Sequence, residues 1–167
     1  GQNPQEIEAL FDELDKLTLD IFVKTKDTID TFFSKRYGLE KEKLAPWHYQ
    51  NRFFQEAPKI YDVDLDVYYK DKDVVELTRA FYEGLGLEMN DVFKNSDLYE
   101  KEGKYQHAYC MDVDREGDVR MVCNVKNNAD WAETMLHECG HVAYSKFNDR
   151  ELTWNLRDAA HIFTTEA

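Results

Sequence analysis

The chain has 167 residues, of which 43% are hydrophobic and 14% aromatic. This length and composition exclude a disordered chain and predict a single domain over residues 1–167. The formal net charge is −13, from 34 acidic and 21 basic side chains. Such a surface repels phosphate backbones and anionic lipids, which argues against nucleic acid and membranes as partners. No apolar run is long enough to cross a bilayer.

The first third of the chain predicts a long amphipathic helix. From residue 4 to about residue 35, apolar residues recur at spacings of three and four, which predicts one long helix or two in sequence. Gly38 is a plausible stop. We expect the apolar stripe to pack in the core. Pro46 and Pro58 then bracket a segment that is not regular helix throughout, in which Trp47 is expected to pack rather than to line a cleft.

The middle of the chain predicts short elements. Residues 62–69 are predicted to be a loop. Asp73 is a suitable cap for a helix that ends near Gly84 or Gly86, and Asn90 is a suitable cap for a short turn.

Residues 105–125 predict a β-hairpin, because two aromatic and β-branched runs flank a charged, glycine-containing turn at residues 114–117. With the turn centred between Glu116 and Gly117, Cys110 and Cys123 would lie roughly opposite each other. We expect two reduced, half-buried thiols rather than a cross-strand disulfide. The three cysteines of the chain favour a reducing, cytoplasmic compartment, although a leader removed upstream stays an alternative.

The motif H-E-x-x-H follows the hairpin and is made by His137, Glu138 and His141. On a helix, residues four apart lie one turn apart on one face, so one Zn²⁺ can bind both imidazoles. Glu138 lies close enough to act on a water at the metal. The alternative is a chance match whose histidines bind only carboxylates. Apolar neighbours on nearly all sides of the helix predict burial, which favours the metal because burying these groups unpaired is costly.

The sequence also predicts where this helix begins and ends. Asp130 and Glu133 form a D-x-x-E start, which predicts a helix from about Trp131 to about Phe147. Glu133 lies one turn before His137 and either caps the helix or orients that imidazole. A last helix is expected over residues 156–165.

A catalytic zinc site with two histidines needs a third protein ligand. After His141, the candidates are Asp149, Glu151, Asp158, His161 and Glu166. One class of zinc peptidases extends the motif to H-E-x-x-H-x-x-G-x-x-H, and Tyr144 and Phe147 exclude that class here. The other main class takes a glutamate from a following helix some twenty-odd residues on. Glu166 lies 25 residues after His141 and fits that geometry best.

Three segments carry a resemblance to a known family. Residues 117–125, 136–144 and 161–167 resemble the glutamate-zinc peptidases. More narrowly, they resemble the oligopeptidase and peptidyl-dipeptidase group that includes thimet oligopeptidase, oligoendopeptidase F and angiotensin-converting enzyme. Residues 44–49 are also similar to a segment of that group. The likeness is strong from about residue 105 onward and looser before it.

The resemblance implies a mainly α, zincin-like metallopeptidase catalytic domain with a small β-hairpin and a cleft for short peptide substrates. It implies zinc on His137, His141 and Glu166, with Glu138 as general base. It also implies that the strand ahead of the motif helix binds the peptide as an added β-strand. His107 and Ala108 match the point where such a strand holds the substrate carbonyl.

The chain also departs from that family. The family's domain continues well beyond the glutamate ligand, and its later part carries a Tyr or His that stabilises the oxyanion. We therefore expect a partial catalytic domain, whose zinc affinity and activity would suffer. Two alternatives stay open: a metal-binding but inactive fragment, and a helical interaction module whose histidines bind nothing. The sequence indicates neither the oligomeric state nor whether cleavage is internal or at carboxyl ends.

Overall fold

The computed structural model describes residues 3–49, 58–160 and 162–166. As predicted, the chain is mainly helical with one small antiparallel sheet. Its elements are α1 (Pro4–Tyr37), α2 (Val74–Gly84), α3 (Asn90–Asn95), β1 (Tyr109–Asp112), β2 (Val119–Val122), α4 (Ala129–Lys146) and α5 (Phe163–Glu166). Within the described ranges, no helix is long and apolar enough to span a membrane.

The chain divides into two compact units, Gly1–Val63 and Asp64–Ala167. The expectation that the whole chain folds as a single domain stays a prediction, because it concerns cooperativity rather than compactness.

In the first unit, α1 is one uninterrupted helix of 34 residues. Asn3 caps it, since its side chain accepts a hydrogen bond from the backbone N–H of Gln5. The helix ends at Gly38, as predicted. Gly38 adopts φ 64° and donates its backbone N–H to the carbonyl of Ser34, a left-handed cap that glycine accommodates without strain.

The apolar stripe of α1 is exposed over most of its length, so the prediction that it packs in the core is wrong there and holds only around Phe33. In α1 only Phe33 is fully buried among the described residues, and its ring contacts the rings of Phe32, Tyr37 and Tyr49. The exposed members of the stripe are between 40% and 69% accessible: Leu10, Phe11, Leu14, Leu17, Ile21 and Phe22. Helical periodicity reports which residues share a face, but it does not report what covers that face.

Trp47 was also expected to pack, and it is 77% exposed. It lies in a 3-10 turn, Pro46–Tyr49. The remainder of the irregular segment predicted before Pro58 falls on residues 50–57, which lie outside the described part of the chain.

In the second unit, α4 packs against α2 and both strands, and α3 packs against β2. The core between them contains Val74, Met89, Val92, Met121, Cys123, Met135, Cys139 and Val142. Asp73 caps α2 as predicted, and α2 ends at Gly84. Asn90 lies inside α3, whose cap position is Met89, so its predicted capping role is wrong. The predicted loop at residues 62–69 contains a 3-10 turn, Asp66–Tyr68.

The predicted hairpin forms, with shorter strands and a different register. Cys110 pairs with Met121, so the expectation that it faces Cys123 is wrong by two residues. Cys123 is fully buried rather than half-buried, and all three cysteines are free. On its other side β2 bridges Asp97. In the described part of the chain, β1 therefore has one edge with no strand beside it.

Candidate metal centre

The helix that carries the motif begins earlier than predicted. Asn128 is the cap of α4, and its side chain accepts a hydrogen bond from the backbone N–H of Trp131 at 2.9 Å. Asp66 accepts a further bond from the N–H of Ala129. The predicted start at Asp130 is therefore wrong by two residues. Since Asn128 occupies the cap position, Glu133 has no capping role.

The two faces of α4 differ, which corrects the prediction of burial on nearly all sides. One face is buried in the core through Ala132, Met135, Cys139 and Val142. On the other face, Leu136 and Tyr144 are 39% and 38% exposed. The side chains of His137 and His141 are 54% and 21% accessible. The argument that buried imidazoles need a metal therefore does not hold for His137 and His141. Whether they can share a metal depends instead on the positions of their ring nitrogens.

The Nε2 atoms of His137 and His141 lie 3.0 Å apart. Glu166 completes the group, with Oε1 3.4 Å from Nε2 of His141 and Oε2 3.8 Å from Nε2 of His137. One donor atom from each residue lies within 4.8 Å of the others. Ligand atoms at the corners of a tetrahedral zinc site with bonds of 2.0–2.2 Å are about 3.3–3.6 Å apart. The donor groups of the three residues are therefore close enough together to hold one metal ion.

Glu166 reaches this position from α5, a helix of a single turn. The carbonyl of Ile162 accepts the backbone N–H groups of Thr165 and Glu166. The prediction of a longer last helix over residues 156–165 is wrong, because a 3-10 turn, Trp154–Leu156, comes first and the described residues between it and α5, 157–160 and 162, are not helical.

Two of the other carboxylates weighed as third ligands have different partners. Asp149 accepts a backbone hydrogen bond from Glu151. Asp158 forms an ion pair with Arg115. His161, also a candidate, lies outside the described residues. Within the part of the chain that the structure describes, Glu166 is the candidate that meets both imidazoles.

The donor atoms open onto a cavity of about 440 Å³. Its lining comes from α4, from the start of β1 and from α5: His107, Ala108, Tyr109, Cys110, His137, Glu138, His141, Tyr144, Ser145, Thr165 and Glu166. The residues expected to hold substrate, His107 and Ala108, therefore share one cavity with the motif. Glu138 faces this cavity with only 7% of its surface accessible.

Sequence reasoning missed two cavity residues on α4, Tyr144 and Ser145. The signal was present, because Tyr144 lies seven residues after His137 and Ser145 four after His141, which are helical spacings for one face. Glu133, in contrast, is exposed and is not part of the cavity lining. In the described part of the chain no hydrogen bond joins it to His137, so its orienting role stays a prediction.

The three thiols of the second unit have raised pKa values. Burial, and secondarily the charge of Glu138, raises the pKa of Cys110 to about 11. Burial raises the pKa of Cys123 and of Cys139 to about 12. Because the thiolate is the reactive form of cysteine, these groups are poor nucleophiles. The thiol of Cys110, which lines the cavity, is therefore not a candidate nucleophile at neutral pH.

No model of a protein family matches the chain, and no curated protein matches it at a significant level. The likeness to glutamate-zinc peptidases therefore rests on the motifs alone. The case for a metal rests on the positions of three donor atoms.

Proposed function

We propose that the chain binds Zn²⁺ through His137, His141 and Glu166 and hydrolyses peptide bonds in short peptides. The observation that carries this proposal is the closeness of the donor groups. The two Nε2 atoms lie 3.0 Å apart, and the Glu166 carboxylate lies 3.4 Å from Nε2 of His141 through Oε1 and 3.8 Å from Nε2 of His137 through Oε2. Two imidazole nitrogens and one carboxylate oxygen are the donor set of many catalytic zinc sites. A set of three protein ligands leaves one coordination position for water or substrate.

Zinc, when bound, polarises a carbonyl group and lowers the pKa of water to about 7. Glu138 is the general base in this proposal. Its carboxylate accepts a proton from the water that attacks the scissile carbonyl carbon, and then donates that proton to the leaving nitrogen. Glu138 lines the cavity and is only 7% accessible. Few bulk water molecules can therefore exchange protons with its carboxylate.

The open edge of β1 supports a peptide as the substrate class. An unpaired strand edge offers backbone N–H and carbonyl groups to an extended chain, whatever the side chains of that chain. His107 and Ala108 lead into β1 along the cavity wall, where they would hold the main chain of the peptide next to Glu138.

The test replaces Glu138 by glutamine, which keeps the shape of the side chain and removes its basicity. We expect Glu138→Gln to retain one zinc per chain and to lose peptide cleavage by a factor of about 10²–10⁴. The two measurements are zinc content by mass spectrometry and cleavage of an internally quenched peptide.

Asp130→Asn is the matched control, because Asp130 is an exposed carboxylate on the same helix. It should keep both the zinc and the activity. Zinc-loaded protein that cleaves no peptide would overturn the hydrolase proposal and support the inactive metal-binding alternative. Undiminished cleavage by zinc-loaded Glu138→Gln would overturn the role of Glu138.

A further inference from the structure

Residues 148–158, here called the connector, join the end of α4 to the segment that carries Glu166. We propose that Arg150 and Arg157 are positioning residues that fasten the connector to the turn of the β-hairpin and so hold Glu166 against the two imidazoles. This inference rests on the proposed zinc site. It adds residues that touch neither the metal nor the substrate.

Arg150 joins three parts of the second unit. Its Nη1 donates to Oδ2 of Asp112 and to the carbonyl of Arg115, each at 3.1 Å. Its Nη2 donates to the carbonyl of Ser145 at 2.8 Å. The side chains of Arg150 and Asp112 are 25% and 13% exposed, so this pair is shielded from solvent. Shielded, charge-assisted hydrogen bonds are stronger than exposed ones.

Arg157 holds the far end of the connector. Its Nη1 donates to the carbonyl of Arg115 and to the carboxylate of Glu116. Its Nε donates to the carbonyl of Leu152, and its own carbonyl accepts from Asn148. Only 14% of the side chain is exposed. Arg157 therefore closes the connector on itself and fixes it to the hairpin turn.

The backbone of the hairpin turn places a carbonyl group within reach of both arginines. Arg115 has a positive φ of 58°, which is uncommon for a residue other than glycine. In this conformation its carbonyl accepts from both Arg150 and Arg157. Its guanidinium lies 4.2 Å from the ring of Trp154 and forms an ion pair with Asp158 at 2.5 Å. The turn and the connector therefore hold each other through contacts in both directions.

Beyond the connector, the attachments are few. In residues 159–166, as far as the structure describes them, the hydrogen bonds and ion pairs are local, apart from those of Glu166 to the imidazoles. A single-turn helix such as α5 is marginal without support from elsewhere. Its position depends on where the connector ends, and a freely moving Glu166 would meet the metal less often.

The experiment measures the zinc dissociation constant by competition with a chromophoric chelator. We expect Arg157→Gln and Arg150→Gln each to weaken zinc binding about 10- to 100-fold, the usual cost of losing a group that supports a metal ligand. Arg120→Gln is the matched control. Arg120 belongs to the same hairpin, but its guanidinium binds Asp118, so its loss should leave the zinc affinity unchanged.

A double-mutant cycle separates positioning from general damage to the fold. If Arg157 acts through Glu166, adding Arg157→Gln to Glu166→Gln should weaken zinc binding no further. Arg157→Lys serves if the glutamine variant does not fold. It keeps the charge but cannot reproduce the contacts of both Nη1 and Nε, so it should also lose affinity. Circular dichroism of the metal-free variants checks that each is folded.

The outcomes distinguish the two proposals. If the wild-type chain does not bind zinc, the proposed function and this inference fall together. If the wild-type chain binds zinc and Glu166→Gln weakens it, the metal site stands. In that case, an unchanged affinity in Arg157→Gln overturns the positioning role. An equal loss with and without the Glu166 carboxylate overturns it as well.

Discussion

Cys110 and Glu138 line the same cavity, and the negative charge of Glu138 opposes ionisation of the thiol. With burial as the larger cause, the pKa of Cys110 is raised to about 11. We therefore expect the alkylation rate of Cys110 by iodoacetamide in metal-free protein to keep rising up to about pH 11. A free thiol levels off above its ordinary pKa of about 8.5.

Glu138→Gln removes the charge, so it should lower the pKa of Cys110 and move this rate profile to lower pH. Burial persists in the variant, so the profile should stay above that of a free thiol. Asp130→Asn, outside the cavity lining, should not move it. Identical profiles in Glu138→Gln and the wild type would show that the two groups do not interact. The reacting cysteine is identified by peptide mass spectrometry.

Whether an individual site residue could be predicted from the sequence depends on how far along the chain its partners lie. His137, Glu138 and His141 were predictable because helical spacing brings them together locally. The resemblance was needed to favour Glu166 over nearer carboxylates. Arg150 and Arg157 were not predictable, since their partners on the hairpin turn lie 35 to 42 residues away and share no periodicity with them.

The start of α4 illustrates the same limit at the scale of an element. Asn128 and Asp130 both have side chains suited to a helix cap, and sequence reasoning chose the wrong one. Asp66, 63 residues away, binds the N–H of Ala129 and so favours the earlier start. Gly38 and Asp73 were predicted correctly because each acts within its own turn. The predicted hairpin register is wrong because the turn is centred between Arg115 and Glu116, one residue earlier than predicted, which shifts every cross-strand partner by two residues.

This account of α4 predicts the effect of removing its cap. Asn128→Ala should lower the free energy of unfolding by about 1 kcal/mol, because the backbone N–H of Trp131 loses its partner. Asn127→Ala is the control, since Asn127 is an exposed neighbour that does not occupy the cap. Urea unfolding followed by circular dichroism measures both. Equal losses in the two variants would contradict the assignment of the cap.

A second prediction for an element compares two phenylalanines of α1. Phe33 is fully buried, whereas Phe22 is 62% exposed. Phe33→Ala should therefore lower the free energy of unfolding by about 3–5 kcal/mol. Phe22→Ala should change it by less than about 0.5 kcal/mol. A large loss for Phe22→Ala in the same urea titration would mean that the apolar stripe is covered in the native protein, as the sequence predicted.

For the whole molecule, the proposed zinc site and its supports belong to one compact unit. The candidate donors come from α4 and α5, and the contacts proposed to position them come from the hairpin and the connector. All of these lie within Asp64–Ala167. Because zinc would bind the native state and not this arrangement in the unfolded chain, its binding free energy adds to the stability of that unit.

Amide hydrogen exchange measures which elements zinc binding would stabilise. With free zinc at about 1,000 times the dissociation constant, the stabilisation is about 4 kcal/mol. We expect exchange to slow in α4, β1 and β2, whose core amides exchange when the second unit unfolds, and to stay unchanged in α1. In Glu166→Gln the same zinc concentration should have a smaller effect. Equal slowing in α1 would mean that the two units unfold in one cooperative step, which is the behaviour that a single domain requires.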